Sequence, residues 1–105
     1  MPQFLLGYFG GQRPETPEEG QRHMQEWKHW ATGLGSTLVN PGTPVGVTKV
    51  LTGDGVSSEP SPHPIMGFSI LEADSMDKAI EALRDCPHMK YGATLEVSEM
   101  MEMPK

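Results

Sequence analysis

The sequence predicts an α+β fold in which two helices cover one face of an antiparallel sheet. Two segments carry apolar residues at helical spacing, and strand-like apolar or alternating segments lie before, between and after them. The predicted order, β-α-β-β-β-α-β, matches the split βαβ arrangement of a ferredoxin-like sheet. Because the 105 residues show no repeat and no linker-like stretch, they are predicted to form one domain over residues 1–105.

The first strand and the first helix have clear local signals. Residues 3–9 form a largely apolar run that ends at a pair of glycines, which predicts a strand. Thr16 is the predicted N-cap of the helix, Pro17 its first residue, and Glu19 the partner of Thr16 in a capping box. The helix is expected to end near residues 33–35, where one of two glycines can adopt the left-handed conformation.

The middle of the chain gives weaker signals. Residues 36–39 are predicted to form a short strand that is broken by Asn40-Pro41-Gly42. Residues 45–51 predict another, weaker strand, and residues 52–64 a loop that is too polar to bury anything. Residues 65–71 predict a strand with good apolar content.

The second helix is predicted to begin after Asp74 or Ser75 and to end before Pro87. Residues 92–98 alternate between apolar and polar side chains and predict the last strand. The apolar stripe of the helix is formed by Met76, Ala79, Ile80 and Leu83.

A homodimer is predicted from the apolar content of the sheet. Two helices cover only one face, yet the strands 3–9 and 65–71 carry apolar residues on both sides. An uncovered apolar face usually marks an interface, so two sheets are expected to pack face to face. The methionine-rich segment 100–103 is expected to pack across the seam of this dimer.

Composition excludes several classes of partner. The net charge is −6, the pI is about 5.0, and no basic run is present, which argues against binding to nucleic acid or to anionic lipid. No stretch reaches the roughly 18–20 apolar residues of a membrane span, and residues 4–9 are too short for a signal sequence. The single cysteine, Cys86, fits a reducing compartment, so a cytoplasmic protein is expected.

His23 is the most informative residue of the first helix. At about 100° per residue, Trp27, Trp30, Ala31 and Leu34 fall on one arc of the helix, and His23 falls inside that arc. A titratable ring on a buried stripe must be hydrogen-bonded, because an unpaired buried polar group costs stability. His23 therefore marks either a structural hydrogen bond or a small-molecule site.

A histidine can take and return a proton near neutral pH, so His23 is the candidate general acid/base. Asp54, in a Gly-Asp-Gly turn, is the candidate partner that would orient it. The alternatives are a His23 bond to a backbone carbonyl and a solvated turn position for Asp54. Trp30 and Tyr8 are candidate ligand contacts, although Tyr8 also suits ordinary sheet packing, and Trp27 is expected in the core.

No metal or other cofactor is predicted. His23 and His29 lie about 120° apart around the helix, whereas paired metal ligands at i,i+4 share a face. His63 lies between prolines in a loop and is expected to face solvent. Cys86 follows a helix C-terminus, where the dipole disfavours a thiolate, so it is a poor nucleophile. No glycine-rich phosphate-binding motif is present.

A series of short motifs runs along nearly the whole chain: Phe4–Tyr8, Thr16-Pro17-Glu18-Glu19 before a helix with a histidine, Asn40-Pro41-Gly42, Asp54-Gly55, Gly67-Phe68, Glu72-Ala73-Asp74-Ser75, Cys86-Pro87-His88, Tyr91-Gly92 and Leu95-Glu96-Val97. In their order and spacing these motifs resemble the YCII-related family, particularly its branch with a DGPF motif. The resemblance implies a ferredoxin-like dimeric α+β barrel.

The resemblance also implies a cleft between the sheet and the first helix, in which a helix-borne histidine pairs with an aspartate. His23 matches that histidine to within one position. The aspartate has no counterpart within Gly42–Val47, and Val56-Ser57 replaces the Pro-Phe of the DGPF motif after Asp54-Gly55. One kind of family member is a dehydrochlorinase of a chlorinated aromatic compound, and some related domains are attached to sigma factors.

Two functions are therefore open. The first is a cofactor-independent enzyme of lyase, isomerase or dehydrochlorinase type that acts on a small aromatic or unsaturated substrate, with His23 as general acid/base. The alternative is a non-catalytic dimeric module that binds a ligand or regulates a partner through the same cleft. These two functions can be distinguished by the hydrogen-bond partners of the two His23 nitrogens and by whether a cavity lies beside them.

Overall fold

The strands and helices alternate much as the sequence predicts. The structure is a computed structural model and describes residues 1–11 and 14–102. Met103, the last methionine of the segment predicted to cross a dimer seam, lies outside the described residues. In chain order the elements are β1 (Gln3–Gly10), α1 (Pro17–Leu34), a 3₁₀ helix (Gly35–Thr37), β2 (Leu38–Pro44), β3 (Leu51–Thr52), β4 (Gly55–Val56), β5 (Ile65–Glu72), α2 (Met76–Leu83), a 3₁₀ helix (Pro87–Tyr91) and β6 (Ala93–Glu99).

Four of the strands form one antiparallel sheet. Their order is β2-β5-β1-β6, and each neighbouring pair is antiparallel. In the described part of the chain, β3 and β4 pair with each other alone and form a hairpin with two residues in each strand. These elements confirm the α+β class predicted from the sequence. None of the helices in the described ranges is long and apolar enough to cross a membrane.

The core lies on one face of the sheet. Alternate residues of β1 are buried there, and side chains of both helices pack against them. No residue of α1, all of which is described, is fully buried, so α1 leaves space between itself and the sheet. The buried apolar residues are Phe4, Leu6, Tyr8, Leu71, Ala73, Ala79, Leu83 and Cys86, with Trp30 partly buried against them.

Local capping signals explain where the helices begin and end. The Thr16 hydroxyl accepts a hydrogen bond from the Glu19 N–H at 3.1 Å, as predicted. The Glu19 carboxylate accepts from the N–H of Glu15, one residue before the expected position in a capping box. Gly35, with φ of +57°, ends α1, and Ser75 rather than Asp74 caps α2.

Three predictions for the middle of the chain are wrong. β2 continues through Asn40–Gly42, because Gly42 takes a φ of +75° and the Asn40 side chain accepts the Gly42 N–H at 2.8 Å. These local contacts let the strand bulge without ending. The predicted strand at 45–51 is reduced to β3, and the predicted loop at 52–64 contains β4.

The loop before β5 also contacts the sheet. The His63 ring stacks on Phe9, with 4.3 Å between centroids and 6° between planes. Nε2 of His63 lies 3.2 Å from a Glu96 carboxylate oxygen. His63 is exposed, as predicted, and these contacts show that it also covers part of the sheet face opposite the core.

Candidate functional site

A cavity of about 510 Å³ lies beneath the first half of α1. Its walls come from α1, from the ends of β1, β2 and β5, and from the 3₁₀ helix Pro87–Tyr91. Most of the lining is apolar, and its polar or aromatic residues in the described part of the chain are Tyr8, His23, Trp27, Thr43, Phe68, His88 and Tyr91. A concave, mostly apolar pocket with a few convergent polar groups is the usual form of a small-molecule site.

His23 lies on the inward side of α1 and lines this cavity, as its position on the apolar arc predicts. Its ring stacks on Tyr91, with 3.8 Å between centroids and 25° between planes. Within the described part of the chain, neither ring nitrogen has a protein hydrogen-bond partner. The backbone-carbonyl alternative is therefore wrong for this structure, and the nitrogens are available to a bound molecule.

A carboxylate supports His23 indirectly. The Tyr91 hydroxyl donates to Glu26 at 2.9 Å, and Lys90 Nζ lies 2.6 Å from the other carboxylate oxygen of Glu26. These two contacts, the Lys90 hydrogen bond first, lower the pKa of Glu26, so it is ionised at neutral pH. Glu26 holds the ring on which His23 stacks, although it does not contact His23 through a hydrogen bond.

Asp54 is not near His23, and the prediction that it orients this residue is wrong. It lies in the exposed turn between β3 and β4 and does not line the cavity. Its backbone N–H donates to the Thr52 hydroxyl at 3.2 Å, a local turn contact. Among residues 1–11 and 14–102, β3 and β4 pair with each other and not with the four-stranded sheet, so no strand pairing holds their turn near α1.

The two tryptophans have the opposite roles from those predicted. Trp27 lines the cavity, and its Nε1–H donates to the Tyr8 hydroxyl at 3.2 Å. Trp30 packs against the core and is not part of the lining, so its predicted ligand contact is wrong. Both residues lie on the same side of α1, but Trp30 is about one turn further along, past the end of the cavity.

Tyr8 lines the cavity from β1 and belongs to a chain of hydrogen bonds. Its oxygen lies 2.9 Å from the Ser69 hydroxyl, and the Ser69 hydroxyl donates to the Pro41 carbonyl at 2.7 Å. Burial raises the pKa of Tyr8, so the phenol stays protonated. This chain connects α1, β1, β5 and β2 at the base of the site.

His88 is a site residue that the sequence analysis did not select. Its ring meets the Tyr8 ring edge-on, with 5.3 Å between centroids. Burial lowers its pKa, as does the nearby His23, and it is therefore neutral at pH 7. The motif containing His88 and Tyr91 was visible in the sequence, but nothing in its spacing connected it with α1.

Cys86 is buried next to this segment, and burial raises the pKa of its thiol to about 11. It is therefore protonated and unreactive at neutral pH, as predicted. Among residues 1–11 and 14–102, no group of three or more His, Cys, Asp or Glu side chains is arranged to hold a metal ion.

The sequence matches no protein-family model and no curated protein. The chemistry therefore has to be argued from the site. The cavity places an imidazole in mostly apolar surroundings, and such a group can move a proton to or from a bound molecule.

Proposed function

We propose that the protein binds a small, flat, mostly apolar molecule in the cavity and catalyses a cofactor-independent proton transfer on it. His23 is the general acid/base. The observation that carries this proposal is the state of His23: its ring is held by stacking on Tyr91, while neither nitrogen is bonded to the described protein residues. A histidine with only a structural role would be expected to use one ring nitrogen in a hydrogen bond to a protein group.

The surroundings of His23 fit this role. Trp27 and Tyr91 provide flat aromatic walls, which favour an aromatic or unsaturated molecule. Glu26 is ionised and fixes Tyr91, so the His23 ring is held in place by stacking while its nitrogens make no hydrogen bond to the described protein residues. In an elimination of the dehydrochlorinase type, the base removes a proton from carbon, the C–H electron pair becomes a double bond, and chloride leaves.

A non-catalytic ligand-binding module is the second candidate. The observation that favours it is that no carboxylate contacts His23 directly among the described residues, whereas efficient histidine bases usually have a group that orients the second nitrogen. In this case His23 would donate or accept a hydrogen bond from the ligand and do no chemistry.

We also propose that the fold is the ferredoxin-like split βαβ and that the chain is similar to the YCII-related family. The sheet order β2-β5-β1-β6, with each adjacent pair antiparallel, supports this topology. The short motifs on which the resemblance rests lie mainly in strands, helix caps and turns.

We further propose that the protein is a homodimer through the sheet face opposite the core. Leu5 is 41% exposed there, and Phe68 and Ile70 are half-buried. The hairpin residues Leu51 and Val56 are 75% and 66% exposed. The radius of gyration is 15.4 Å, whereas a compact domain of this length has about 13 Å, as expected for a thin layer that lacks its partner.

The catalytic proposal is tested with 2-oxindole, a small flat lactam that carries an N–H group and an acidic C–H next to its carbonyl. Loss of its α-proton signal in D₂O, followed by NMR, measures proton abstraction. Binding is followed separately through the Trp27 Nε1–H resonance. We expect exchange that is lost in His23→Asn and kept in His29→Asn, a matched exposed histidine on the same helix.

The outcomes separate the two candidates. Binding without exchange in the wild-type protein favours the ligand-binding module. Equal exchange in wild type and His23→Asn contradicts the role of His23 as the base. Absence of binding across a panel of flat bicyclic compounds overturns both candidates.

Sedimentation velocity at micromolar concentration tests the dimer. We expect a dimer for wild type, and a monomer for Leu5→Glu because the new charge would be buried in the interface. Ile80→Glu is the control, since Ile80 is 40% exposed on α2, away from the proposed interface. A monomeric wild-type protein would refute the proposal.

A further inference from the structure

The direction of each hydrogen bond at the base of the cavity is fixed by chemistry. The Pro41 carbonyl can only accept, so the Ser69 hydroxyl proton is committed to it over 2.7 Å. Ser69 must then accept from Tyr8, whose own proton is committed over 2.9 Å. The indole N–H of Trp27 can only donate, and it donates to the Tyr8 oxygen over 3.2 Å.

Every proton in this chain of hydrogen bonds is therefore already donated to a protein acceptor before a ligand binds. The Tyr8 oxygen can still accept one further hydrogen bond, because a phenol oxygen has two acceptor positions and Trp27 fills one. Tyr8 thus differs from the two histidines of the cavity. A neutral imidazole can present either a donor or an acceptor by changing tautomer, whereas Tyr8 can only accept.

We infer that Tyr8, held by Ser69, makes the cavity select flat ligands that carry an N–H or O–H group and disfavour those that present only an acceptor. This inference rests on the ligand-binding part of the proposed function and adds the polarity of the ligand to it. Ser69 acts as a positioning residue, because it reaches the ligand only through Tyr8.

Indole and benzofuran provide a matched test. They have nearly the same shape, but indole presents an N–H donor where benzofuran presents only an oxygen acceptor. Titrations of the wild-type protein with each compound, followed by NMR, give the two dissociation constants. We expect indole to bind about fivefold to tenfold more tightly, the effect of one hydrogen bond gained against an acceptor–acceptor contact.

Two variants assign the preference to this chain of hydrogen bonds. Tyr8→Phe removes the acceptor and frees the Trp27 N–H, so the preference for indole is expected to disappear. Ser69→Ala frees the Tyr8 hydroxyl proton, and the indole to benzofuran ratio is expected to fall to one or below. Ser98→Ala, an exposed serine on β6, is the control and should keep the wild-type ratio.

The outcomes of these titrations distinguish failure of this inference from failure of the proposed function. Equal binding of both compounds to the wild-type protein overturns this inference and leaves the ligand-binding proposal in place. A wild-type preference that persists in Tyr8→Phe, or in a folded Ser69→Ala, also overturns it. Binding of neither compound nor of the wider bicyclic panel overturns the proposed function and this inference together.

Discussion

Replacing Gly42 with alanine tests how closely β2 must approach β5 to build the cavity. Gly42 lines the cavity and has a φ of +75°, which side chains other than glycine rarely adopt. A Cβ placed on it would lie 1.7 Å from the Phe68 carbonyl oxygen. Since that contact is with backbone, no side-chain rotation relieves it, and the two strands must separate by about 1 Å or more.

The expected cost follows from these contacts. A left-handed conformation costs alanine about 1–2 kcal/mol. Separation of the strands also weakens the nearby Ser69 hydroxyl bond to the Pro41 carbonyl and a ladder bond between β2 and β5, at about 1 kcal/mol each. We therefore expect Gly42→Ala to lower the free energy of unfolding by about 3 kcal/mol, a large share of the roughly 5–15 kcal/mol of a typical domain.

Urea unfolding followed by circular dichroism measures this change, with all proteins at one concentration because a dimer would make stability concentration-dependent. Gly46→Ala is the control: its φ is not positive, and nothing lies within 4 Å of the added Cβ. It should change stability by less than about 1 kcal/mol, with a small gain favoured. A loss below about 1 kcal/mol for Gly42→Ala would refute the close approach of β2 to β5.

Three further predictions concern single groups. Burial raises the pKa of Cys86 to about 11. Iodoacetamide at pH 8 should therefore modify Cys86 at least about 100-fold more slowly in the native protein than in the urea-unfolded protein, as measured by mass spectrometry. Equal rates would contradict this prediction. Because the pKa of His88 is lowered in the folded protein, its contribution to stability is present above the ordinary histidine pKa and is lost as the pH falls below it. The difference between the unfolding free energies at pH 7.5 and pH 5.5 should therefore be smaller in His88→Asn than in wild type. An unchanged difference would refute this prediction. Thr16→Ala should lose about 1 kcal/mol of stability in urea unfolding through loss of the N-cap bond, while Thr16→Ser should restore most of it; equal losses would contradict the capping role.

Elements with strong local signals could be predicted from the sequence. The start of α1 at Thr16, its end within residues 33–35 and the cap of α2 at Asp74 or Ser75 depend on contacts within a few residues. The structure has Thr16, Gly35 and Ser75 at these positions. β2 could not be predicted in the same way. Its passage through Asn40–Gly42 depends on pairing with β5, which is a tertiary contact that local turn propensity opposes.

The site residues show the same difference between local signals, which could be predicted, and tertiary contacts, which could not. The helical period alone places His23 on the inward side of α1, and the structure places it at the cavity. Glu26 was not selected, because an isolated carboxylate on a helix ordinarily faces solvent. Its role depends on Tyr91, 65 positions later, which donates a hydrogen bond to it. Asp54 and Trp30 were selected from local sequence, but the fold directs one to an exposed turn and the other to the core.

The indirect position of the carboxylate has a consequence for the proposed chemistry. In a direct histidine–carboxylate pair, the carboxylate fixes the tautomer of the ring and stabilises its charged form. Glu26 instead fixes Tyr91, and Tyr91 supports the His23 ring by stacking, so the orientation of the ring is set but its tautomer is not. The bound molecule must then supply the partner that selects the tautomer. Proton transfer at His23 would accordingly depend on a ligand whose own donors and acceptors match the cavity, and the acceptor-only oxygen of Tyr8 restricts that match.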